Sequence, residues 1–265
     1  MRTSLMDLHA MQERGEKIAM LTCYDSSFAR VLEKAGVDAL LVGDSLGMVV
    51  QGHDSPLPVS IDDIAYHIRC VVRGAPHAFI LADMPFGSSQ VTPEATFQHA
   101  AELIRAGAQM VKIEGGSNMA PTIEFLVTRG IPVCAHIGLT PQSVHQLGGF
   151  KVQGRQEEGA QRILNDALEL ESAGAGLVLI EAVPRQLADR LCDTLTVPTI
   201  GIGASPRCAG QVLVIYDLLG LGAYIPPRFV RPFIRETGSI EEAVQRYVGE
   251  VKAGRFPGPE HCYGS

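Results

Sequence analysis

The chain has no run of lysine or arginine residues and no closely spaced pair of cysteines. Its 265 residues carry a formal net charge of −7, so a nucleic-acid partner is not expected. Six cysteines lie far apart, and no Cys-x-x-Cys word occurs. This spacing argues against a zinc site and a disulfide scaffold, and it predicts free thiols in a reducing, cytoplasmic compartment.

Long apolar runs and nucleotide-binding loops are also missing. No stretch is long enough for a membrane span, and residues 1–20 lack the apolar segment of a secretory signal. Neither Gly-x-Gly-x-x-Gly nor a Walker loop occurs, and 201–204 (Gly-Ile-Gly-Ala) is only a weak candidate for a phosphate-binding turn. With 46% apolar and 19% charged residues the chain is not disordered, and no membrane partner is expected.

Short apolar, β-branched segments alternate with longer segments of helical periodicity. Nearly continuous apolar runs are typical of parallel strands that are covered on both faces. The predicted strands are 18–25, 38–44, 78–84, 110–114, 132–137, 177–182, 198–203 and 212–217. Eight βα units without a linker predict one α/β domain over residues 1–265, a (β/α)8 TIM barrel. A doubly wound sheet, which normally needs fewer strands, is the alternative.

Helix ends carry their own signals. Ser60 with Asp63, and Thr92 before Pro93, predict helix N-termini. Three helices are predicted to end at an Ala-Gly pair whose glycine suits a left-handed cap, at Gly36, Gly107 and Gly174. Residues 3–15 predict an extra helix before the first strand.

Ionisable residues end seven of the eight predicted strands. The active site of a TIM barrel lies at the carboxyl ends of its strands. The residues in question are Asp25, Asp44, Asp83, Glu114, His136, Glu181 and Asp217. A single such carboxylate is usually a solvated or capping residue, but the set as a whole predicts an active site at this end.

Three of these carboxylates predict a metal site. Asp44, Asp83 and Glu114 end consecutive strands, which lie about 4.8 Å apart, so their side chains are expected to converge. Converging negative charges repel one another unless a cation joins them, and oxygen ligands favour Mg²⁺. The alternative is that they are three capping carboxylates that point apart.

Lys112 and Ser45 are predicted to bind an anionic substrate. Lys112 shares the inner face of its strand with Glu114, because alternate residues of a strand point to the same side. An unpaired buried lysine is costly, so we expect it to pair with Asp83 as well. The alternative is that Lys112 only pairs with Asp83 and binds no substrate. The hydroxyl of Ser45 suits a substrate carboxylate, although Ser45 to Gly47 is also typical of an ordinary turn.

Glu181 is predicted to be the general base. It ends the sixth strand, across the mouth of the barrel from the carboxylates, and apolar residues follow it. An ion pair with an arginine is the alternative. His136 lies between the two groups and is a candidate for substrate binding, or else a hydrogen-bonded core residue. Asp44 and Asp83 are further candidates for substrate binding.

At these residues the chain resembles the ketopantoate hydroxymethyltransferase family. The resemblance runs from about Tyr24 to His261. Its most specific segments are 22–25 (TCYD), 41–48 (LVGDSLGM), 51–54 (QGHD), 81–86 (LADMPF), 111–116 (VKIEGG), 136–143 (HIGLTPQS), 149–155 (GFKVQGR) and 201–204 (GIGA).

The resemblance implies transfer of a hydroxymethyl group from 5,10-methylenetetrahydrofolate to 3-methyl-2-oxobutanoate. The product would be 2-dehydropantoate, for pantothenate and coenzyme A synthesis. It also implies Mg²⁺, a TIM barrel and a homodecamer. Asp44, Asp83 and Glu114 match the family's metal positions, Ser45, Asp83 and Lys112 its substrate positions, and Glu181 its proton acceptor.

Two departures from the family pattern follow the seventh strand. Ser205 stands where a glycine is expected, and the segment 208–211 (CAGQ) replaces an Asp-Gly-Gln word. Because of these two departures, the family resemblance does not predict the structure of the loop after the seventh strand. The glycine-containing segment 147–159 is predicted to be a lid, with a plain surface excursion as the alternative.

Two rival functions fit parts of the pattern. A carbon–carbon lyase or mutase acting on a Mg²⁺-bound 2-oxo acid would share the carboxylates but not the folate donor. A non-catalytic binding barrel would be expected to have lost Glu181 or a metal carboxylate, and the chain retains all of them.

Overall fold

The computed structural model describes residues 2–222 and 226–264. Within these ranges eight parallel strands close into a barrel in the order β1 to β8, which confirms the predicted TIM barrel and excludes the doubly wound sheet. The strands are Ile18–Thr22 (β1), Ala39–Val42 (β2), Phe79–Asp83 (β3), Met110–Glu114 (β4), Val133–Gly138 (β5), Leu177–Glu181 (β6), Thr199–Ile202 (β7) and Gly210–Leu213 (β8).

Helices follow the strands around the outside of the barrel. In the described ranges the α-helices are Leu5–Glu13 (α1), Ser26–Lys34 (α2), Leu46–Val49 (α3), Ile61–Gly74 (α4), Pro93–Ala106 (α5), Ala120–Val127 (α6), Val144–Leu147 (α7), Glu157–Ser172 (α8), Arg185–Thr194 (α9), Ile215–Leu218 (α10) and Ile240–Lys252 (α11). Short 3-10 helices span Ser117–Met119, Pro141–Ser143, Phe233–Glu236 and Pro259–His261.

The helix signals in the sequence are confirmed. Helix α1 precedes the first strand, as predicted for residues 3–15. Ser60 and Asp63 form a reciprocal capping box at the start of α4, and Thr92 caps α5 with Pro93 at its first turn. The three predicted terminal glycines have φ of +89°, +121° and +99°, at Gly36, Gly107 and Gly174.

The first and last strands meet at a buried tyrosine. The Tyr247 hydroxyl of α11 lies 2.9 Å from the carbonyl oxygens of Met20 in β1 and Gln211 in β8. Strand residues are almost all buried, because their outer faces are covered by helices and their inner faces by one another.

The prediction of the eighth strand at 212–217 is wrong. The strand is β8, and residues 215–218 form helix α10, so Asp217 does not end a strand. The strand begins at Gly210, where a Cβ atom would meet the carbonyl oxygen of Ile18 at 2.6 Å. A glycine that permits such close packing looks in sequence like part of a turn.

The first strand is also shorter than predicted, and this changes the role of Asp25. Strand β1 ends at Thr22, and Asp25 is the N-cap of α2, accepting hydrogen bonds from the amides of Ser27 and Phe28 at 2.7 and 2.9 Å. A short carboxylate before a helix typically has this role.

The loop after β7 accommodates Ser205, the first departure from the family pattern. The buried Ser205 hydroxyl donates to the carboxylate of Asp189 and accepts a hydrogen bond from the amide of Arg207 at 3.1 Å. The Ser205 hydroxyl therefore has both a hydrogen-bond acceptor and a hydrogen-bond donor in this loop.

Among the described helices, none is long and apolar enough to cross a bilayer.

Candidate active site

A cavity of about 130 Å³ lies at the carboxyl ends of the strands. Its walls include all seven residues predicted to form the site, namely Asp44, Ser45, Asp83, Lys112, Glu114, His136 and Glu181. All of them except Ser45 and Glu181 are buried. Residues from five different strands or the loops after them thus meet at one point, which is the arrangement expected at the mouth of a TIM barrel.

Strand register explains why these side chains meet. Asp83 at the end of β3 is level with Lys112 of β4, and Glu114 is level with His136 of β5. Asp44 lies two residues beyond β2, and its backbone amide donates to Asp83 Oδ2 at 3.1 Å. That bond draws the β2 loop over the neighbouring strand.

The three carboxylates converge rather than point apart. One oxygen from each of Asp44, Asp83 and Glu114 lies within 4.8 Å of the other two. The Lys112 ammonium is 2.8 Å from Asp83 Oδ1 and 3.2 Å from Glu114 Oε1. Lys112 is the one lysine or arginine among the described residues that line this cavity. One positive charge therefore faces three buried negative ones.

The titration behaviour of the cluster reflects this imbalance. Burial and the charges of Asp83 and Glu114 raise the pKa of Asp44 well above its usual value. Burial also raises the pKa of Asp83, although Lys112 opposes the shift. For Glu114, Lys112 and His136 outweigh burial and lower the pKa to about 2. The carboxylates keep the pKa of Lys112 above its usual value despite its burial.

These residues fit a divalent cation. The donor set consists of carboxylate oxygens, which hard cations such as Mg²⁺ prefer. Asp83 Oδ1 lies at ion-pair distance from Lys112, yet it accepts no hydrogen bond of good angle from the described part of the chain. A cation between the carboxylates would supply the missing positive charge.

His136 connects the lysine to the predicted base. Its Nδ1 is 3.1 Å from Lys112 Nζ, and its Nε2 is 3.1 Å from Glu181 Oε2. Its Nδ1 also lies 3.3 Å from Glu114 Oε1, and the carboxylates of Glu114 and Glu181 raise the pKa of His136 although burial and Lys112 oppose the shift. Glu181 is therefore paired with a histidine rather than with an arginine, and its side chain is 15% exposed.

The backbone around Glu181 is unusually constrained. Ala182, the next residue, has a φ of +45°, which is costly for a residue with a Cβ atom. Its amide donates to Ile202 O at 2.9 Å, and its carbonyl accepts from the amide of Gln153 at 3.0 Å. At Gly138 a Cβ atom would meet Glu181 O at 2.3 Å, so glycine lets β5 approach. These contacts hold the Glu181 carboxylate at the rim of the cavity.

The opposite wall of the cavity is mostly apolar, although the buried Asp217 of α10 also lines the cavity. The apolar part of this wall is formed by Leu179 of β6, Ile202 of β7 and Val212 and Leu213 of β8. The mouth is thus divided into a charged side on β2 to β5 and a mostly apolar side on β6 to β8, with Glu181 between them. A small molecule with an anionic end and an alkyl end matches this division.

The sequence matches a known family over nearly its whole length. A family model described as ketopantoate hydroxymethyltransferase matches residues 2–259. The chain belongs to the ketopantoate hydroxymethyltransferase family. Proteins named 3-methyl-2-oxobutanoate hydroxymethyltransferase from Nitrosospira multiformis and Burkholderia multivorans are 62% and 59% identical to it. These alignments cover 96% and 97% of this chain and 96% and 94% of the two relatives.

Solved structures outside the ketopantoate hydroxymethyltransferase family share its barrel. Phosphonopyruvate hydrolase, in a complex with oxalate and Mg²⁺, matches with a TM-score of 0.63 at 13% identity, covering 83% of this chain and 84% of that one. Oxaloacetate acetylhydrolase with oxalate matches with a TM-score of 0.61 at 16% identity, covering 93% and 96%. At such identities the likeness establishes the fold alone.

One residue of this candidate site escapes prediction from sequence. Gln142 donates from Nε2 to Asp44 Oδ2 at 2.8 Å and from its backbone amide to Glu114 Oε2 at 3.0 Å. It therefore positions two of the three carboxylates. Gln142 lies in the segment 136–143 that carries the family resemblance, and that is the one signal that singles it out. Tyr24 is a second residue that contacts a predicted site residue, since its hydroxyl lies 2.8 Å from Ser45 Oγ.

A second, larger cavity adjoins the first in this family member. Its volume is about 800 Å³, and Glu114 lines both cavities. Polar groups of the segments 115–118 and 140–146 form much of its wall, with Arg162 and Asp166 of α8 on another side. Leu147 and Gln153, from the segment predicted to be a lid, also line it.

Proposed function

We propose that the protein transfers a hydroxymethyl group from 5,10-methylenetetrahydrofolate to 3-methyl-2-oxobutanoate. The product is 2-dehydropantoate, for pantothenate and coenzyme A synthesis. Family membership supports the reaction class, and one structural observation carries the assignment to this site. Glu181 faces the carboxylate and lysine cluster across a cavity of about 130 Å³, which suits a small branched 2-oxo acid.

In this proposal Asp44, Asp83 and Glu114 hold Mg²⁺. A cation bound there would supply Lewis-acid polarisation of the keto group of the oxo acid. Lys112 and Ser45 bind the anionic end of the substrate, and His136 contributes a polar contact between them and Glu181. The isopropyl group faces the apolar wall, where burial of alkyl surface favours binding.

Glu181 is the base of the proposed reaction. Its carboxylate takes the proton from C3 of the oxo acid, and the Lys112 ammonium offsets the negative charge that develops on the enolate oxygen. Both C–N bonds between the folate and its methylene carbon then break: C3 forms the new C–C bond to this carbon, and water supplies the hydroxyl oxygen. One folate nitrogen takes a proton from the water, and the other takes the proton that Glu181 removed. His136, whose Nε2 lies 3.1 Å from Glu181 Oε2, stabilises the ionised form of the base.

We assign the folate donor to the larger cavity. It meets the smaller one at Glu114, so a ligand there reaches the bound oxo acid, and its volume of about 800 Å³ accommodates a pterin and more. The segment 147–159 predicted to be a lid is partly helical, since α7 ends at Leu147 and α8 begins at Glu157. We further propose that the remaining residues 148–156 form a lid, because Gln153 lines this cavity and its amide is bonded to Ala182 O. We also propose that the protein forms a homodecamer, as the family resemblance implies, and that it acts in the cytoplasm.

The direct test combines the protein, Mg²⁺, 3-methyl-2-oxobutanoate and methylenetetrahydrofolate. We expect 2-dehydropantoate to accumulate, detected by mass spectrometry, and only when the folate is present. Formation of the product requires the one-carbon donor, whereas a lyase or mutase would consume the oxo acid without folate. Consumption of the oxo acid in the folate-free reaction would contradict the proposal.

Replacing Lys112 by methionine is expected to weaken oxo-acid binding by about tenfold or more. A hydrogen bond to a charged group contributes about 1.5–3 kcal/mol, and methionine keeps the stem but loses the charge. Calorimetric titration with the oxo acid in the presence of Mg²⁺ measures the effect, and Lys34→Met is the control at an exposed lysine. Normal binding together with a lowered unfolding temperature would instead identify Lys112 as a structural ion-pair partner.

Replacing Ser143 by tryptophan tests the folate cavity. Ser143 lines that cavity, and its side chain makes no capping hydrogen bond, so a large ring is expected to fill the space. The rate of product formation should fall by about tenfold or more at low folate concentration. Folate-independent exchange of the C3 hydrogen should be unchanged. Ser172→Trp, at the exposed end of α8, is the control. An unchanged folate KM in the Ser143 variant would move the donor elsewhere.

A further inference from the structure

Two cysteines are in contact at the end of the barrel opposite the active site. Cys192 lies in α9, and Cys208 lies two residues before β8. Their sulfur atoms are 3.6 Å apart, although 16 positions separate them in the sequence. The catalytic cavity is lined by the carboxyl ends of the strands and shares no residue with the surroundings of this pair.

The two sulfurs differ in their access to solvent. Cys208 is fully buried, whereas Cys192 is partly exposed and lines a cavity of about 140 Å³. Lys17 and Arg207 line the same cavity. A thiol beside positive charge and open to small molecules is the kind that reacts, and a buried neighbouring thiol is placed to resolve the product.

Hydrogen bonds and charge around Cys192 favour its thiolate. Cys208 Sγ lies 3.6 Å and Thr199 Oγ1 lies 3.5 Å from Cys192 Sγ, both within hydrogen-bond reach of that sulfur. Together with Lys17 these contacts lower the pKa of Cys192, although burial opposes them. In contrast, burial raises the pKa of Cys23 and of Cys134 to about 12. Those two thiols are therefore poor nucleophiles.

We propose that Cys192 and Cys208 form a reversible dithiol–disulfide pair that reacts with peroxides, Cys192 first. The Cys192 thiolate attacks one oxygen of hydrogen peroxide, the O–O bond breaks, and hydroxide leaves, which gives a sulfenic acid. The Cys208 sulfur then attacks the Cys192 sulfur, the S–O bond breaks, and water leaves. Two thiols are oxidised by two electrons, and the peroxide is reduced to two molecules of water.

The disulfide between Cys192 and Cys208 would join the end of α9 to the start of β8, at the amino-terminal end of the barrel strands. Cross-linking residues this far apart in sequence restricts the unfolded chain, so the oxidised protein is expected to unfold at a higher temperature. Turnover is expected to stay unchanged, because the pair lies at the far end of the strands from Glu181 and the carboxylates.

The test treats the full-length reduced protein with hydrogen peroxide and counts free thiols. Two of the six should be lost, and peptide mapping should find Cys192 joined to Cys208. In the Cys208→Ser variant, or Cys208→Ala if serine does not fold, dimedone should label Cys192. Cys192→Ser should lose no thiol at the same dose, and Cys70→Ser, at another partly exposed cysteine, should behave as the wild type.

Several results would overturn the proposal. Six free thiols after treatment, a disulfide between other cysteines, or dimedone on a different residue would each do so. Reduction with dithiothreitol should restore both thiols and the original unfolding temperature. Oxidation that is not reversed in this way would show overoxidation rather than a dithiol pair.

Discussion

Glu181→Gln is expected to slow exchange of the C3 hydrogen of 3-methyl-2-oxobutanoate with D₂O by at least about a hundredfold. Glutamine keeps the size of the side chain but cannot accept the proton. Glu181 is bonded to neither Lys112 nor the three converging carboxylates, and its contact in the cluster is His136 Nε2 at 3.1 Å. Binding of Mg²⁺ and of the oxo acid should therefore be nearly intact.

The exchange is followed by NMR as loss of the C3 proton signal in D₂O with Mg²⁺ and without folate. This arrangement separates enolisation from one-carbon transfer. Glu102→Gln, an exposed carboxylate on α5, controls for the loss of a charge. Equal exchange rates in the wild type and the Glu181 variant would remove Glu181 from the mechanism, and His136 would become the next candidate for the base.

Removing the metal is expected to abolish activity, and adding Mg²⁺ back should restore it. Asp83→Asn should weaken Mg²⁺ binding by more than about tenfold, which corresponds to about 1.4 kcal/mol. The physical reason is the loss of one of three buried negative charges, whose oxygens lie within 4.8 Å of one another. Without that charge the cluster attracts a cation less strongly, and Lys112 competes more effectively for Glu114.

Calorimetric titration with Mg²⁺ measures this affinity independently of turnover. Asp62→Asn, at an exposed position in the first turn of α4, is the matched control and should bind Mg²⁺ as the wild type does. Full activity in excess EDTA would exclude the oxygen-ligand site. Unchanged Mg²⁺ affinity in the Asp83 variant would assign the ion to other residues.

Much of the barrel is predictable from the sequence because its strands are buried on both faces. Such strands appear as continuous apolar runs, and the polar residue that ends a run marks the carboxyl end of the strand. Asp83, Glu114 and Glu181 end strands in this way. Lys112 is predictable for a second reason, since alternation along β4 places it on the same face as Glu114.

The missed features depend on contacts between distant segments. Gly210 begins β8 because the close approach of Ile18 excludes a side chain, and no local pattern reveals that neighbour. Asp25 has the same local appearance as Asp44, a carboxylate after an apolar run, but only the helix that follows it decides that it is a cap. Gln142 is uncharged, and its role depends on carboxylates 98 and 28 positions away in the chain.

The division of the barrel mouth has an evolutionary consequence. Lys112, the three converging carboxylates and the histidine lie on β2 to β5 or the loop after β2, whereas Leu179, Ile202 and Val212 on β6 to β8 line the space proposed for the alkyl group. Selection for a longer or shorter acyl chain can therefore act on one arc of strands without rebuilding the charge network on the other. In the proposed mechanism Glu181, at the boundary, serves any 2-oxo acid whose C3 carries a hydrogen. The two arcs can diverge at different rates, and substrate preference can change while the enolisation chemistry is inherited intact.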